Sequence, residues 1–213
     1  MSSPESLQTA TAHLAAQSRA WSQLIHTVGP CTLTVQTGRE PYESLTHAVA
    51  HQQLHGKAAE AMLRRLSLLF GGQEFPYPED LLAVEPEQLR ACGFSGRKVA
   101  TLRAIAEGTV TGVVPDRETA AQLSDEDLIA RLTALPGIGA WTVQMLLIFT
   151  LGRLDVWPVD DFGVREGWRR LAQLPEQPKP RVMRDLGEPL RPWRSVAAWY
   201  LWRYPREQDA LDP

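Results

Sequence analysis

Two adjacent carboxylates, Asp160 and Asp161, stand in the segment VWPVDDFGV, twenty residues after the tryptophan of the segment LPGIGAWT. The segment LPGIGAWT, Leu135 to Thr142, is a Pro-Gly-apolar-Gly turn between two amphipathic stretches. This pattern predicts a helical hairpin whose turn has no side chains over its backbone. The amides of Gly137 and Gly139 would point outward from the start of the next helix, which suits a phosphate. A carboxylate close to a phosphate clamp predicts chemistry on nucleic acid. A plain interhelix turn is the alternative interpretation.

The position of the two aspartates just before a helix also predicts an ordinary structural role. Acids at that place are most simply N-cap residues, which accept hydrogen bonds from the first free amides of the helix. One cap is enough for one helix, so the other aspartate is open to chemistry. The position of the pair alone leaves open which aspartate is the cap and which carries the chemistry.

Tryptophan is unusually frequent, with seven residues in the chain, and three of them lie close together near its end. Trp199 and Trp202 are three residues apart and therefore share one helical face, and Trp193 precedes them. Core packing is the ordinary explanation of each. Indole faces also stack on flat heterocycles and attract cations, as an extruded, positively charged base would require.

Three further segments indicate contact with DNA, each with a plainer alternative. In Gln52-Gln53-Leu54-His55 two side-chain amides interrupt an apolar helix. They suit a wedge that fills the position of an extruded base, and the alternative is an ordinary helix end in contact with solvent. Gly96-Arg97-Lys98 opens a helix with cations against its dipole, which favours an anionic partner or a solvated turn. Arg191-Pro192-Trp193-Arg194-Ser195 offers two arginines and an N-cap, for phosphate or for surface salt bridges.

Composition is compatible with these expectations and excludes several classes of protein. The 213 residues hold two cysteines, too few for a four-cysteine iron–sulfur cluster, and no long apolar run that predicts a membrane span. The first residues lack the pattern of a secretory signal, so we expect a reduced, cytoplasmic location, associated with the nucleoid if the source is bacterial. The net charge is −3, but residues 153–206 carry 11 basic and seven acidic residues, which predicts a one-sided basic face.

Apolar residues recur with helical spacing along almost the whole chain. The segment Cys31 to Thr37 alternates instead and predicts an extended stretch, and Pro175 to Pro180 is a turn-rich linker. The predicted helices are 6–28, 42–70 with a break near residues 53–56, 80–84, 86–92, 97–107, a helix capped by Ser124 that ends near Leu135, 141–151, 162–174 and 193–204.

In combination, the motifs resemble the helix-hairpin-helix DNA glycosylase superfamily, and within it the 3-methyladenine DNA glycosylase II branch. The matching segments span about residues 42 to 204 and are AVAHQQLHGKAA, LRACGFSGRKVATL, LPGIGAWTVQMLL, DVWPVDDFGV and RPWRSVAAWYLW. The resemblance implies one all-α, two-lobed glycosylase unit over residues 1–213, with the active-site cleft between the lobes. Residues 42–151, which include the hairpin, would form one lobe, and residues 1–41 with 152–213 the other.

The same resemblance implies roles for particular residues. Asp161 matches the catalytic aspartate, and Asp160 matches the acid that often precedes it, so Asp160 is the one expected to provide the cap. The remaining roles are the DNA wedge at Gln53 with its neighbour Leu54, the base pocket at Trp141 and Trp202, and phosphate binding at Gly137, Gly139, Arg97, Lys98 and Arg194.

The resemblance also implies a monovalent cation, Na⁺ or K⁺, held at the hairpin by the backbone carbonyls of Leu135 and Ile138. No organic cofactor is expected. Two departures concern the contact with the duplex, not the reaction. The chain has no room for the N-terminal sheet lobe of many longer members, and His55 stands where a small hydroxyl residue is common.

The implied reaction is the hydrolysis of the N-glycosidic bond of alkylated bases such as 3-methyladenine and 7-methylguanine in double-stranded DNA, within base excision repair. An N-alkylated purine is already cationic and leaves without a general acid, so one carboxylate suffices where ordinary glycosidases need two. We expect a monomer that works on flipped-out bases and has no membrane partner. The alternatives are a non-catalytic helix-hairpin-helix DNA-binding module and a bifunctional glycosylase/lyase. The second would need a lysine in the place of Trp141.

Overall fold

The computed structural model describes residues 3–52, 56–72 and 75–204, and in these ranges every regular element is helical. The chain divides into two compact units, unit 1 (Met1–Val35 with Gly152–Pro213) and unit 2 (Gln36–Leu151). In unit 1 the helices are α1 (Pro4–Gln17), α2 (Arg19–Val28), α11 (Phe162–Leu171), α12 (Pro180–Gly187), a short 3-10 helix (Glu188–Leu190) and α13 (Arg194–Trp202). In unit 2 they are α3 (Pro41–His51), α4 (Gly56–Leu69), α5 (Pro78–Ala83), α6 (Pro86–Ala91), α7 (Gly96–Val110), α8 (Arg117–Gln122), α9 (Asp125–Leu132) and α10 (Ala140–Phe149).

Unit 1 is built around tryptophan. The Trp168 ring lies edge-on to Trp21 and to Trp157, with ring centroids 6.1 Å apart in both pairs. Such edge-to-face contacts add specific geometry to the large apolar area that each indole buries. Trp199 is also buried, and the Arg203 guanidinium lies 3.8 Å over its ring centre. For these four indoles, therefore, core packing is the correct interpretation.

Helices α11 and α13 approach each other closely because two glycines face the second helix. A side chain at Gly167 would collide with the backbone carbonyl of Leu201. A Cβ at Gly163 would lie 2.8 Å from Cδ1 of the Trp202 indole. The two glycines are four residues apart and therefore lie on one face of α11, so this face forms a groove that admits α13.

Unit 2 contains the predicted helical hairpin, formed by α9 and α10. Ser124 caps α9 as predicted, because its hydroxyl accepts the Asp127 amide at 3.0 Å. The Arg117 guanidinium donates to the carbonyls of Gln36, Arg39 and Thr150 at 2.6–2.7 Å. These bonds attach residues 36–41 to unit 2, whereas the division inferred from the sequence places these residues in the other lobe.

Several predicted helix boundaries are wrong for local reasons. The expected helix over 6–28 is two helices, because the Ser18 backbone is extended and its hydroxyl caps α2 through the Trp21 amide. Helices α8 and α12 were not predicted at all, since RETAAQ is short and mostly polar and PRVMRDLG begins directly after the turn-rich linker. The described chain has no strand, and residues 31–36 form an irregular segment. None of the described helices is both long and apolar enough to cross a membrane.

Candidate active site and nucleic-acid interface

Asp161 lies at the start of α11 and is itself the N-cap residue. Its Oδ1 accepts the Val164 amide at 2.8 Å and the Nε1–H of Trp202 at 2.8 Å. The prediction that Asp160 provides the cap is wrong, because Asp160 is exposed in the turn before the helix and Asp161 has the extended backbone of a cap. Asp161 is therefore both the helix cap and the candidate for chemistry, two roles that were expected to fall on two different aspartates.

The Trp202 indole is half-buried and reaches Asp161 across the groove on α11. The space for the ring comes from Gly163, since any Cβ there would lie 2.8 Å from the indole and 3.2 Å from Asp161 Oδ1. A cavity of about 400 Å³ lies beside the ring, with Phe162 and Tyr204 among its lining residues. Phe162 is 72% exposed, which is unusual for a large apolar side chain. The aromatic residue directly after the aspartate pair was a signal that the sequence analysis missed.

The segment that leads to Asp161 is held by two consecutive residues at the start of α13. Arg194 forms a two-pronged ion pair with Asp155, with Nε–Oδ1 at 2.7 Å and Nη2–Oδ2 at 3.0 Å, and also donates to the Asp155 carbonyl. Ser195 is fully buried, and its hydroxyl accepts the Val156 amide and donates to the Arg153 carbonyl. The prediction of Ser195 as an N-cap is wrong, because its hydroxyl binds residues 153–156 and Trp193 stands at the cap position. Arg194 also binds Asp155 in this structure, and its role as a phosphate ligand stays a prediction.

Other arginines in residues 153–206 are also bound to protein groups. Glu166 accepts hydrogen bonds from Arg169, Arg170 and Gln177. The Arg169 hydrogen bond, with that of Gln177, lowers the pKa of Glu166 to about 2. Arg191 pairs with Asp155 at 3.0 Å. Part of the local excess of positive charge is therefore neutralised by carboxylates within unit 1. The one-sided basic face stays a prediction.

The hairpin of unit 2 is shaped by its glycines for different reasons. Gly137 has a φ of +81°, and a side chain there would collide with Thr101 of α7. Gly139 is the N-cap residue of α10, provides no side-chain cap, and has open space where a Cβ would lie. Gly139 and Ala140 are exposed, so no large side chain covers this end of α10, and phosphate binding there stays a prediction.

Lys98 and Gln52 connect α3 and α7 to the hairpin. The Lys98 ammonium donates to the carbonyls of Ala50 and Gln52 at 2.9 and 3.0 Å, and burial lowers its pKa. The Gln52 amide donates to the Thr142 hydroxyl at 3.2 Å. Lys98 therefore caps the end of α3, and its role as a phosphate ligand stays a prediction. Its neighbour Arg97 is exposed and lies one helical turn before Thr101, the residue against which Gly137 packs.

The two predicted wedge residues, Gln53 and Leu54, lie outside the described residues. Gln52, immediately before them, is described and supports the hairpin through a second, longer contact, from its amide to the Gly137 carbonyl at 3.4 Å. Gln52 therefore supports the hairpin, a role that its place beside the predicted wedge does not indicate.

Trp141 is the first large side chain of α10 and lines a cavity of about 470 Å³ within unit 2. Met145 and Phe149, at the same helical face, and His47 and His51 from α3 line the same cavity. Trp202 belongs to unit 1, so the two predicted base-pocket residues each line a cavity of their own unit.

A helical hairpin with an exposed glycine cap, and a carboxylate fixed at a helix start further along the chain, are features of one known family. The chain belongs to the HhH-GPD superfamily of base excision DNA repair proteins, whose family model matches residues 46–192.

Individual relatives are similar over nearly the whole chain. DNA-3-methyladenine glycosylase 1 of Schizosaccharomyces pombe is 44% identical over 98% of this chain and 92% of the relative. The alkylbase DNA glycosidase-like protein mag2 of the same organism is 33% identical over 97% of each. The solved structure of S. pombe 3-methyladenine DNA glycosylase in complex with abasic DNA superposes with a TM-score of 0.86 at 45% identity, over 92% of this chain and 95% of that one.

Proposed function

We propose that this protein is a monofunctional DNA glycosylase that removes alkylated, cationic bases from double-stranded DNA by hydrolysing the N-glycosidic bond. The observation that carries the proposal is the fixed carboxylate of Asp161, which receives two hydrogen bonds on one oxygen at the start of α11. The relatives named DNA-3-methyladenine glycosylase support the same substrate class.

Asp161 would act through its negative charge. The bond to a cationic base breaks with positive charge building up on the sugar, and a preoriented carboxylate stabilises that charge without having to reorganise. The Val164 amide and the Trp202 indole hold the carboxylate in one orientation, so the same carboxylate can guide the attacking water. A base that is already cationic needs no second acid, which agrees with the exposed position of Asp160 in a turn.

A lyase reaction would require an amine that forms a Schiff base with the sugar. The chain has three lysines, Lys57, Lys98 and Lys179, and none lies in the hairpin. Lys98 is held by two carbonyls, and Trp141 takes the place of the lysine expected in a bifunctional enzyme. The product we expect is an intact strand with an abasic site.

DNA binding would use the accessible amides at Gly139 and the exposed Arg97 to hold phosphates, without reading sequence. We also propose a monovalent cation at the hairpin. The carbonyls of Leu135 and Ile138 fit it in chemistry, since carbonyl oxygens are ligands that hard cations accept, although the Leu135 carbonyl already accepts the Ile138 amide at 3.2 Å. The ion would add positive charge where phosphate is expected.

The test compares Asp161→Asn with Asp160→Asn in a base-release assay on duplexes that each carry one lesion. Asparagine caps a helix about as well as aspartate, so Asp161→Asn removes the charge and leaves the cap. Excision should fall by a factor of about 10²–10³, which corresponds to about 3–4 kcal/mol of transition-state stabilisation. Asp160→Asn should excise like the parent protein.

Three outcomes would contradict the proposal. Full activity of Asp161→Asn would remove the carboxylate from the mechanism. Lesion binding without any base release by the parent protein would favour a non-catalytic DNA-binding module. Capture of a covalent complex by borohydride would favour a lyase. Duplexes with 3-methyladenine, 7-methylguanine, ethenoadenine and hypoxanthine would define the range of lesions.

A further inference from the structure

Two histidines and a glutamate that the proposed reaction does not use meet within unit 2. His47 and His51 are four residues apart on α3 and so project from one face of that helix. Glu60 on α4 faces them, with its Oε1 3.2 Å from the Nε2 of His51. One ligand atom from each of the three side chains lies within 4.8 Å of the other two.

The surroundings of the cluster are those of a metal site with an open position. All three side chains line the cavity of about 470 Å³ described above, so a water molecule has room to complete the coordination. Glu43 Oε1 lies 3.6 Å from the Nε2 of His47, and Arg39 in turn binds Glu43 at 3.1 Å. A carboxylate that accepts from the ring nitrogen opposite the metal is the usual outer partner of metal-bound histidine, and Glu43 could take that role if the Nδ1 of His47 binds the ion.

Charge and ligand type both favour a divalent cation. Two neutral imidazoles and a carboxylate are the ligand set of open zinc sites, in which water holds the fourth position. Tetrahedral coordination with bonds of about 2.0–2.2 Å requires ligand atoms about 3.4 Å apart. The His51–Glu60 pair already meets this spacing, and side-chain rotation can close the remaining distance. Two carboxylates and one guanidinium face the histidines, which leaves a net negative environment.

We propose that His47, His51 and Glu60 bind a divalent transition-metal ion of the Zn²⁺ class, with water at the remaining position. The ion would join the end of α3 to α4 beside the His51–Glu60 hydrogen bond. Folding and metal binding would therefore be linked, because the ligands converge only in the folded chain.

The test uses the full chain without a histidine tag, and no DNA. Calorimetry with Zn²⁺ should show one ion per chain, and Zn²⁺ should raise the melting temperature. Co²⁺ should give the visible absorption of a four- or five-coordinate ion without a sulfur-to-metal band, which separates this site from one at Cys31. Affinity should fall as the pH falls, since protons compete for imidazole.

The ligand variants are His47→Ala, His51→Ala and Glu60→Gln, and the matched control is His26→Ala, an exposed histidine on α2 of unit 1. Each ligand variant should lose Zn²⁺ affinity by at least about 10–100-fold, the cost seen even for outer partners of metal ligands. Glu60 is 65% exposed, so Glu60→Gln should fold even if a histidine variant does not. No bound Zn²⁺, or equal affinity in Glu60→Gln and the parent protein, would overturn the proposal.

Discussion

The hairpin in unit 2 and the start of α11 in unit 1 present their polar groups in opposite ways. At the hairpin the candidate groups are backbone amides, which no side chain of Gly139 covers. At α11 the accessible group is the side chain of Asp161, fixed by two donors and by the segment that Arg194 and Ser195 hold. A surface that binds phosphates without reading sequence needs little beyond bare backbone, whereas a catalytic charge needs a fixed orientation.

Glycine also serves the two regions differently. At Gly137 it permits a left-handed backbone and close packing on Thr101. At Gly163 the φ angle is ordinary, and the glycine makes room for an indole that donates to the carboxylate. The first glycine shapes the backbone, and the second shapes the surroundings of a side chain.

The largest expected effect on stability comes from a substitution at the hairpin, where glycine shapes the backbone. Gly137→Ala should destabilise the protein by about 2–5 kcal/mol, because it adds a left-handed strain of about 1–2 kcal/mol to overpacking of about 1–3 kcal/mol. Chemical denaturation measures the change. Adding Thr101→Ala should recover the overpacking share and leave the backbone strain. Gly139→Ala is the control, and its cost should stay below about 1 kcal/mol. An equal loss of unfolding free energy for Gly137→Ala and Gly139→Ala would contradict the special backbone role of Gly137.

Ser195→Ala tests the side-chain region. It leaves the buried Val156 amide and the Arg153 carbonyl without the hydroxyl between them, and an unsatisfied buried polar group costs about 1–3 kcal/mol. The free energy of unfolding should therefore fall by about 2–3 kcal/mol, and excision should fall as Asp161 loses its fixed position. The exposed Ser22→Ala is the control. If excision is unchanged while stability falls, the segment supports the fold and not the carboxylate.

Arg194 and Arg191 bind the same carboxylate, which makes them a matched pair. Arg194 is 14% exposed and Arg191 is 51% exposed. Arg194→Ala should cost about 2 kcal/mol as a charge-assisted bond is lost, and Arg191→Ala less than about 1 kcal/mol.

DNA affinity measured against salt distinguishes structural arginines from phosphate ligands. Arg97→Ala should reduce the log–log slope by roughly 0.9, the effect of one phosphate contact. Arg194→Ala should leave the slope unchanged. A reduced slope for Arg194→Ala alone would support its interpretation as a phosphate ligand.

The smallest effect concerns acid stability near α11. The pKa of Glu166 is lowered from 4.5 to about 2, and the largest cause is the hydrogen bond from Arg169. A lowered folded pKa stabilises the protein fully above the unfolded value, and this stabilisation is lost as the pH falls from about 4.5 towards 2. Glu166→Gln should flatten the dependence of the unfolding free energy on pH in that window relative to the parent protein. Equal pH profiles for Glu166→Gln and the parent protein would contradict the lowered pKa of Glu166.

The helices and the hairpin could be predicted because their signals are local: apolar spacing, Ser124 as a cap, and a Pro-Gly-apolar-Gly turn. The roles of Lys98, Arg194 and Ser195 could not. Each of these side chains binds backbone that is 39 or more residues away, and no local pattern reveals such a partner. Cations before a helix look the same whether they face phosphate or a carbonyl.

At the candidate site, too, no local pattern shows which of the two adjacent aspartates caps the helix. Either residue can cap a helix, and only the turn closed by the Asp161 amide and the Pro158 carbonyl decides that Asp161 does so. Capping and chemistry do not exclude each other at one aspartate. Because a cap uses one carboxylate oxygen, the same residue is suited to both.

The discontinuity of unit 1 has a consequence for how the protein is made. The Tyr200 hydroxyl donates to the Gly29 carbonyl across a sequence separation of 171 residues, and the whole of unit 2 lies between them. On the ribosome, unit 2 is complete while α11 and α13 are still to be synthesised, so it can fold first. The indole that orients Asp161 is among the last residues of unit 1 to emerge. The nascent chain therefore acquires its hairpin well before it acquires an oriented carboxylate.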